Sequence, residues 1–188
     1  MSTIVGPHEA VEVFWNTVAS AWGQPRELRW QQPHLQIHHA PLVEAHPDVL
    51  RTTRADLDLL YPACVEMYTE EVGISPELGG GAELYRARVQ QLISRGWSFA
   101  RFERDRLVFK AEVACASPYA AQIQGVFVPP DRRGEGLAVS GMAAVVELVR
   151  REIAPAVSLY VNEWNTPARR AYERVGFRET ARFSTVMF

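Results

Sequence analysis

Two hydrophobic periods alternate along the chain. Residues 8–22 place Val11, Phe14, Trp15, Val18 and Trp22 at helical spacing, and Gly23 and Pro25 end the run. The stretches 27–30 and 34–39 read as two short strands around Gln31-Gln32-Pro33, and the proline-punctuated 40–48 reads as a linker. From residue 49 the pattern predicts a strand over 49–53, a helix over 54–73 interrupted at Pro62, a glycine-rich loop over 74–81 and a helix over 82–95. Three strands follow, 97–103, 106–117 and 119–128, the first two joined by a hairpin at Arg104-Asp105. Then come a helix over about 136–153, a strand over 156–161, a helix over 167–175 and two short strands, 177–182 and 184–188.

The order from residue 49, β-α-α-β-β-β-α-β-α-β-β, is that of an α+β (layered α/β) domain on one mixed central sheet. It divides the chain into an N-terminal appendage, 1–48, and a main domain, 49–188. A weak echo links 19–37 with 171–188: each runs from a helix end through a glycine into strand-like sequence.

Composition narrows the class. With 188 residues, 47% apolar, and a net charge of −2, the chain can bury a sizeable core and carries no bulk attraction for nucleic acid or an anionic membrane. Cys64 and Cys115 lie far apart with no CxxC, which argues against a disulfide framework or thiolate metal site and suits a reducing compartment; both sit in apolar segments and read as buried. No apolar run approaches the roughly 20 residues of a membrane span, so a cytoplasmic location is expected. His38-His39 lack metal-ligand spacing, and no metal is expected.

The chemistry concentrates in 129–138, PPDRRGEGLA, between a strand and a helix. The first amides of a helix have no intrahelical acceptor and lie at the positive end of its dipole. Glycines there let a ligand approach the backbone, so Gly134 and Gly136 mark an anion site for a phosphate or pyrophosphate, with charge from Arg132 and Arg133. Ser140 and Gly141 keep the first turn slim. No Lys follows Gly136, so a Walker A loop fails; Val139 stands where the dinucleotide fingerprint needs its third glycine. The pattern [QR]-x-x-G-x-[GA] after a strand ending V-x-P is met by Arg133, Gly136 and Ala138 behind Val128-Pro129-Pro130.

That pattern resembles the coenzyme A loop of GNAT acyltransferases. Residues 159–177, LYVNEWNTPARRAYERVGF, are similar to a second GNAT segment, with Asn165, Ala168, Tyr172, Gly176 and Phe177 at matching offsets. More narrowly, MYTEEVGISP, FKAEV and AQIQGV resemble an actinobacterial subgroup that carries an extra N-terminal domain of unknown function. Residues 1–48 would be a remnant or a piece of such a domain.

The resemblance implies the GNAT fold, with a splayed parallel strand pair and flanking helices, and transfer of an acetyl group from acetyl-CoA, as co-substrate, to a primary amine. The amides of Arg133, Gly134, Glu135, Gly136, Leu137 and Ala138, with Arg132, would hold the pyrophosphate, and the strand edge at Phe127 and Val128 the pantetheine. Tyr172 would protonate the departing thiolate. Asn165 would touch the cofactor or cap the helix after it. The strand before the loop offers Gln122 and Gln124, which cannot take a proton. The base is sought among Glu112, Glu70 and Glu71, or in a water relayed to a main-chain carbonyl. The alternative is a non-catalytic acyl-CoA-binding or sensor module on the same fold. The partners expected are acetyl-CoA and an amine acceptor, with neither nucleic acid nor membrane; a homodimer is compatible with the chain.

Overall fold

The computed structural model describes residues 3–188. Its strands are β1 (Thr3–Pro7), β2 (Glu27–Ile37), β3 (Leu50–Arg51), β4 (Ser98–Glu103), β5 (Arg106–Ala116), β6 (Ala120–Phe127), β7 (Ala156–Tyr160) and β8 (Arg178–Met187). The helices are α1 (His8–Trp22), α2 (Leu57–Val72), α3 (Ala82–Ser94), α4 (Leu137–Glu152) and α5 (Thr166–Val175). The strands form one sheet in the order β1-β8-β2-β7-β6-β5-β4-β3. Every neighbouring pair is antiparallel except β6 and β7.

Alternation along β5 divides the core. Phe109, Ala111 and Val113 face a cluster shared with α4 and α5, built on Met142, Val145, Val146, Val149, Val175 and Phe177. The opposite face packs under α2 and α3 through Leu60, Cys64, Met67, Val89 and Ile93. A third cluster, Val11, Trp15 and Val186, seats α1 on β8. Cys64 is buried as expected, whereas Cys115 near the end of β5 is exposed.

Several elements depart from the sequence reading. α2 runs through Pro62 without interruption, because Leu57, Leu60, Ala63, Cys64 and Met67 all bury along one face while Pro62 is exposed, so the single lost hydrogen bond falls on the solvent side. β2 is one strand and not two: Gln31, at φ 60°, absorbs a register shift between Arg29 and Gln32 as a bulge. β8 is likewise continuous, and β1, which no pattern announced, pairs along its edge. The Arg104-Asp105 hairpin holds, both residues having positive φ (48° and 61°).

The N-terminal segment is not an outlying appendage to this sheet. β2 lies inside it, paired to β8 on one side and to β7 on the other. The two echoing stretches therefore end in neighbouring antiparallel strands.

α4 lies flush on β5 at Gly141, where an added Cβ would meet Phe109 ring carbons at 2.7 Å. Phe109 is fully buried and cannot yield. Gly141→Ala is expected to lose about 1–3 kcal/mol to overpacking, a loss larger than the gain in helix propensity of up to about 1 kcal/mol. Urea unfolding of the two proteins measures the difference.

Candidate active site

β6 and β7 pair only from Ala120–Gln122 to Ala156–Ser158 and then diverge. Beyond Gln122 the β7-facing edge of β6 has no strand beside it among the described residues, and β7 leans on β2 instead. Gly125, at φ +60°, sits in a register shift between β5 and β6, which turns β6 away from β7. A Cβ there would meet the Glu112 side chain at 3.0 Å and the Lys110 Nζ at 3.1 Å, so glycine is required on both counts.

Under that bulge lies a buried ionic cluster. Lys110 is 1% exposed; its Nζ donates to the Gly125 carbonyl (2.8 Å) and to Met67 Sδ (3.3 Å), and stands 3.5 Å from Glu112 Oε2. Glu112 also accepts from Gln124 Nε2 (2.9 Å) and from Arg88 Nη2 on α3 (3.2 Å). Its lone pairs are thus largely spoken for, which suits a structural carboxylate better than a proton acceptor.

Where β6 ends, Pro129 and Pro130 stop the strand and a 3-10 turn, Pro130–Arg132, leads into α4. Gly134 (φ 87°) and Gly136 (φ 81°) both take left-handed backbone, and a Cβ at either would meet nothing within 4 Å; their need is conformational. Among the described residues no backbone carbonyl takes the amide protons of Gly134, Glu135, Gly136, Leu137 or Ala138. Five consecutive free N–H groups at a helix start make a cradle for a diphosphate.

The arginines of this turn are not free. Arg132 donates to Glu135 (2.9 Å) and Glu103 (3.0 Å). Arg133 grips Glu70 with both terminal nitrogens (2.9 and 2.6 Å), its Nε donates to the Val128 carbonyl (3.1 Å), and its guanidinium lies 5.8 Å from the Phe127 ring centroid. The charge expected of the pair is balanced by carboxylates, leaving the amides and the helix dipole as the anion-attracting elements.

Glu70 and Glu71 end α2. Glu70 is committed to Arg133, while Glu71 lies 3.8 Å from Arg29 and keeps 55% of its side chain exposed. Although water reaches more than half of the side chain, the density of protein around the Glu71 carboxyl limits its hydration and pushes its pKa upward; Arg29 and Lys110 pull it down, and Glu112 and Glu27 push it up. The Glu71 charge also reaches two phenols, Tyr160 at the end of β7 and Tyr172 on α5. Burial, then Glu71, raises both above the ordinary tyrosine value, so both stay protonated at neutral pH. Tyr172 is 7% exposed, with its ring edge-on to Phe177 at 5.9 Å.

Asn165 caps α5, its Oδ1 accepting from the Ala168 amide (3.2 Å). The turn amides follow directly on the β6 edge that β7 leaves unpaired, and the Glu71 charge reaches both Tyr160 and Tyr172, whereas Glu112 is enclosed by Lys110, Arg88 and Gln124 and Glu70 is paired with Arg133. Sequence reasoning missed Lys110, Arg88 and Arg29. For Lys110 a signal existed: a lone lysine inside the apolar run LVFKAEV, two residues from a glutamate on the same strand face. For Arg29 the sequence offered only Glu27 two residues before it, and nothing local announced its contact with Glu71 at the end of α2. Among the described residues no group of three or more His, Cys, Asp or Glu could hold a metal ion, and no helix is long and apolar enough to cross a membrane.

Residues 78–177 match the family described as Acetyltransferase (GNAT) family, and residues 1–60 match a Domain of unknown function (DUF4081). A mycothiol acetyltransferase from the actinobacterium Brachybacterium faecium is 34% identical over 116 residues, covering 57% of this chain and 34% of its own length. The chain thus spans about a third of that curated relative. Among solved structures, a GNAT-family acetyltransferase from Colwellia psychrerythraea superposes at a TM-score of 0.67 with 15% identity, covering 99% of this chain and 64% of the other. A predicted acetyltransferase from Clostridium acetobutylicum, solved with acetyl-CoA, superposes at 0.54 with 18% identity, over 69% of this chain and 88% of the other.

Proposed function

The chain belongs to the GNAT acetyltransferase family, and from that premise we propose that it transfers the acetyl group of acetyl-CoA to a primary amine by direct attack, without a covalent enzyme intermediate. The observation that carries this reading is the row of five free amides, Gly134–Ala138, opening beside the unpaired edge of β6. Those amides suit the diphosphate. The edge at Phe127 and Val128 suits the pantetheine amides, once Arg133 yields the Val128 carbonyl.

Glu71 is the acceptor-side carboxylate that the geometry favours: Glu70 is paired with Arg133 and Glu112 is enclosed by Lys110, Arg88 and Gln124. Glu71 takes one proton from the bound ammonium and passes it to water. The freed nitrogen attacks the thioester carbon, the C–N bond forms and the C–S bond breaks. Tyr172 gives its proton to the departing sulfur and regains one from the nitrogen, so the products are amide and thiol. A phenol above its usual pKa is a weak acid, but the desolvation that raises it also raises the basicity of the thiolate formed beside it.

An amine library followed by release of CoA thiol tests the proposal. A cationic acceptor is favoured by Glu71, and the substrates of mycothiol acetylation belong in the library because of the relative's name. Acetyl-CoA at a hundred times its Kd is expected to add about 2.7 kcal/mol of stability, a Tm rise of about 5–10 °C. The second reading, a non-catalytic acyl-CoA-binding module, is favoured by Gln122 and Gln124 on β6 in place of a carboxylate. It wins if acetyl-CoA raises Tm and no amine releases CoA.

A further inference from the structure

The N-terminal segment, which matches a domain of unknown function, places two arginines, Arg26 just before β2 and Arg29 on it, against the end of α2. Arg26 Nη2 donates to the Val72 carbonyl (2.7 Å), and Arg29 Nη2 donates to the Glu71 carbonyl (2.8 Å). These are last-turn carbonyls that no helical N–H can satisfy, at the negative end of the α2 dipole, where cations are stabilising. Arg29 is 7% exposed and locked: Glu27 holds it through Nε (2.7 Å) and Nη2 (3.0 Å), and the Trp164 ring centroid lies 6.0 Å from its guanidinium carbon. Its Nη1 stands 3.8 Å from Glu71 Oε1. One buried side chain therefore contacts both the backbone that fixes Glu71 and the carboxylate itself.

We propose that Arg29 is a positioning residue for acetyl transfer: with Arg26 it clamps the end of α2, and through its charge it sets the proton affinity of Glu71, so that the N-terminal segment completes the acceptor side of the site. This rests on the reading of Glu71 as the acceptor-side carboxylate. The other charged and titratable groups facing Glu71 are Glu27 on β2, Lys110 and Glu112 on β5, Tyr160 on β7 and Tyr172 on α5.

The signs of the effects separate this role from plain scaffolding. Arg29 favours the Glu71 carboxylate, so Arg29→Gln raises the Glu71 pKa; Glu27 disfavours it, so Glu27→Gln lowers that pKa. Arg29→Lys retains the charge and stays near the native value. Titration of Glu71 by carbon NMR on protein labelled at glutamate carboxyls, assigned with Glu71→Gln, reads this without any acceptor. The expected shift is upward in Arg29→Gln and downward, and smaller, in Glu27→Gln. Hydrogen exchange over 66–73 is expected to quicken in Arg26→Gln/Arg29→Gln. With an amine from the screen, the acid limb of kcat/KM is expected to move with the titration. Shifts that are absent or of the same sign, unchanged exchange in the double variant, or an acid limb that stays put while Glu71 moves each overturn the proposal. If the native protein shows no amine-dependent turnover, the function proposed above fails, while titration and exchange still judge the clamp.

Discussion

Replacing Tyr172 with phenylalanine is expected to lower kcat about a hundredfold to a thousandfold while acetyl-CoA still binds, a loss in the range that a positioned general acid contributes. The substitution is clean because the ring does the packing. It sits in the main core cluster, edge-on to Phe177, and a phenylalanine ring fills the same space. Among the described residues the hydroxyl has no protein partner, so its removal strands no donor or acceptor, and stability should change by less than about 1 kcal/mol. The phenol is held above its ordinary pKa, first by burial and then by the Glu71 charge, so its deprotonation should leave no alkaline limb in the native rate below about pH 10. The checks are single-turnover rates and the acetyl-CoA Kd of both proteins. An unchanged rate in the phenylalanine variant sinks the general-acid role of Tyr172.

The residues that could be read from sequence are those whose role is local. The amide turn follows from the order strand, prolines, glycines, helix, because each part acts on the backbone beside it. Asn165 was open between cofactor contact and capping; the structure shows the cap, which needs only the amide three residues on. Tyr172 is proposed from its offset from Asn165 and Gly176 in the resembling segment. What stayed hidden depends on partners distant in the chain. Arg132 and Arg133 promised free positive charge, yet their carboxylates come from β4 and α2 as well as from the turn. Glu70 and Glu71 looked equivalent, and only the approach of Arg133 to one and Arg29 to the other separates them. The greatest difference lies in the first 48 residues. β2 owes its place to pairing with β7 and β8, more than 100 residues away, and no local pattern carries that information.

The largest loss of stability is expected from Glu112→Gln. The change keeps shape and removes one negative charge, leaving the Lys110 ammonium buried at 1% exposure with the Gly125 carbonyl and a thioether, near the positive Arg88. Removing one partner of a buried ion pair costs about 3–5 kcal/mol, a large share of the total of about 5–15 kcal/mol available to a domain. Tm should fall by about 6–20 °C. Removing both charges differs in kind. Lys110→Met/Glu112→Leu fills the same volume without burying an unpaired ion, so urea unfolding should recover most of the loss, short of the partners left at Gly125 and Gln124. That variant then isolates what the pair does for the gap. Lys110 holds the Gly125 carbonyl, and the bulge at Gly125 turns β6 away from β7; an apolar pair packs as well but pins nothing. The double variant is therefore expected to fold with near-native stability and bind acetyl-CoA more weakly. If it binds as tightly as the native protein, the ionic pair serves stability alone, and the splay of β6 from β7 is maintained by the remainder of the sheet.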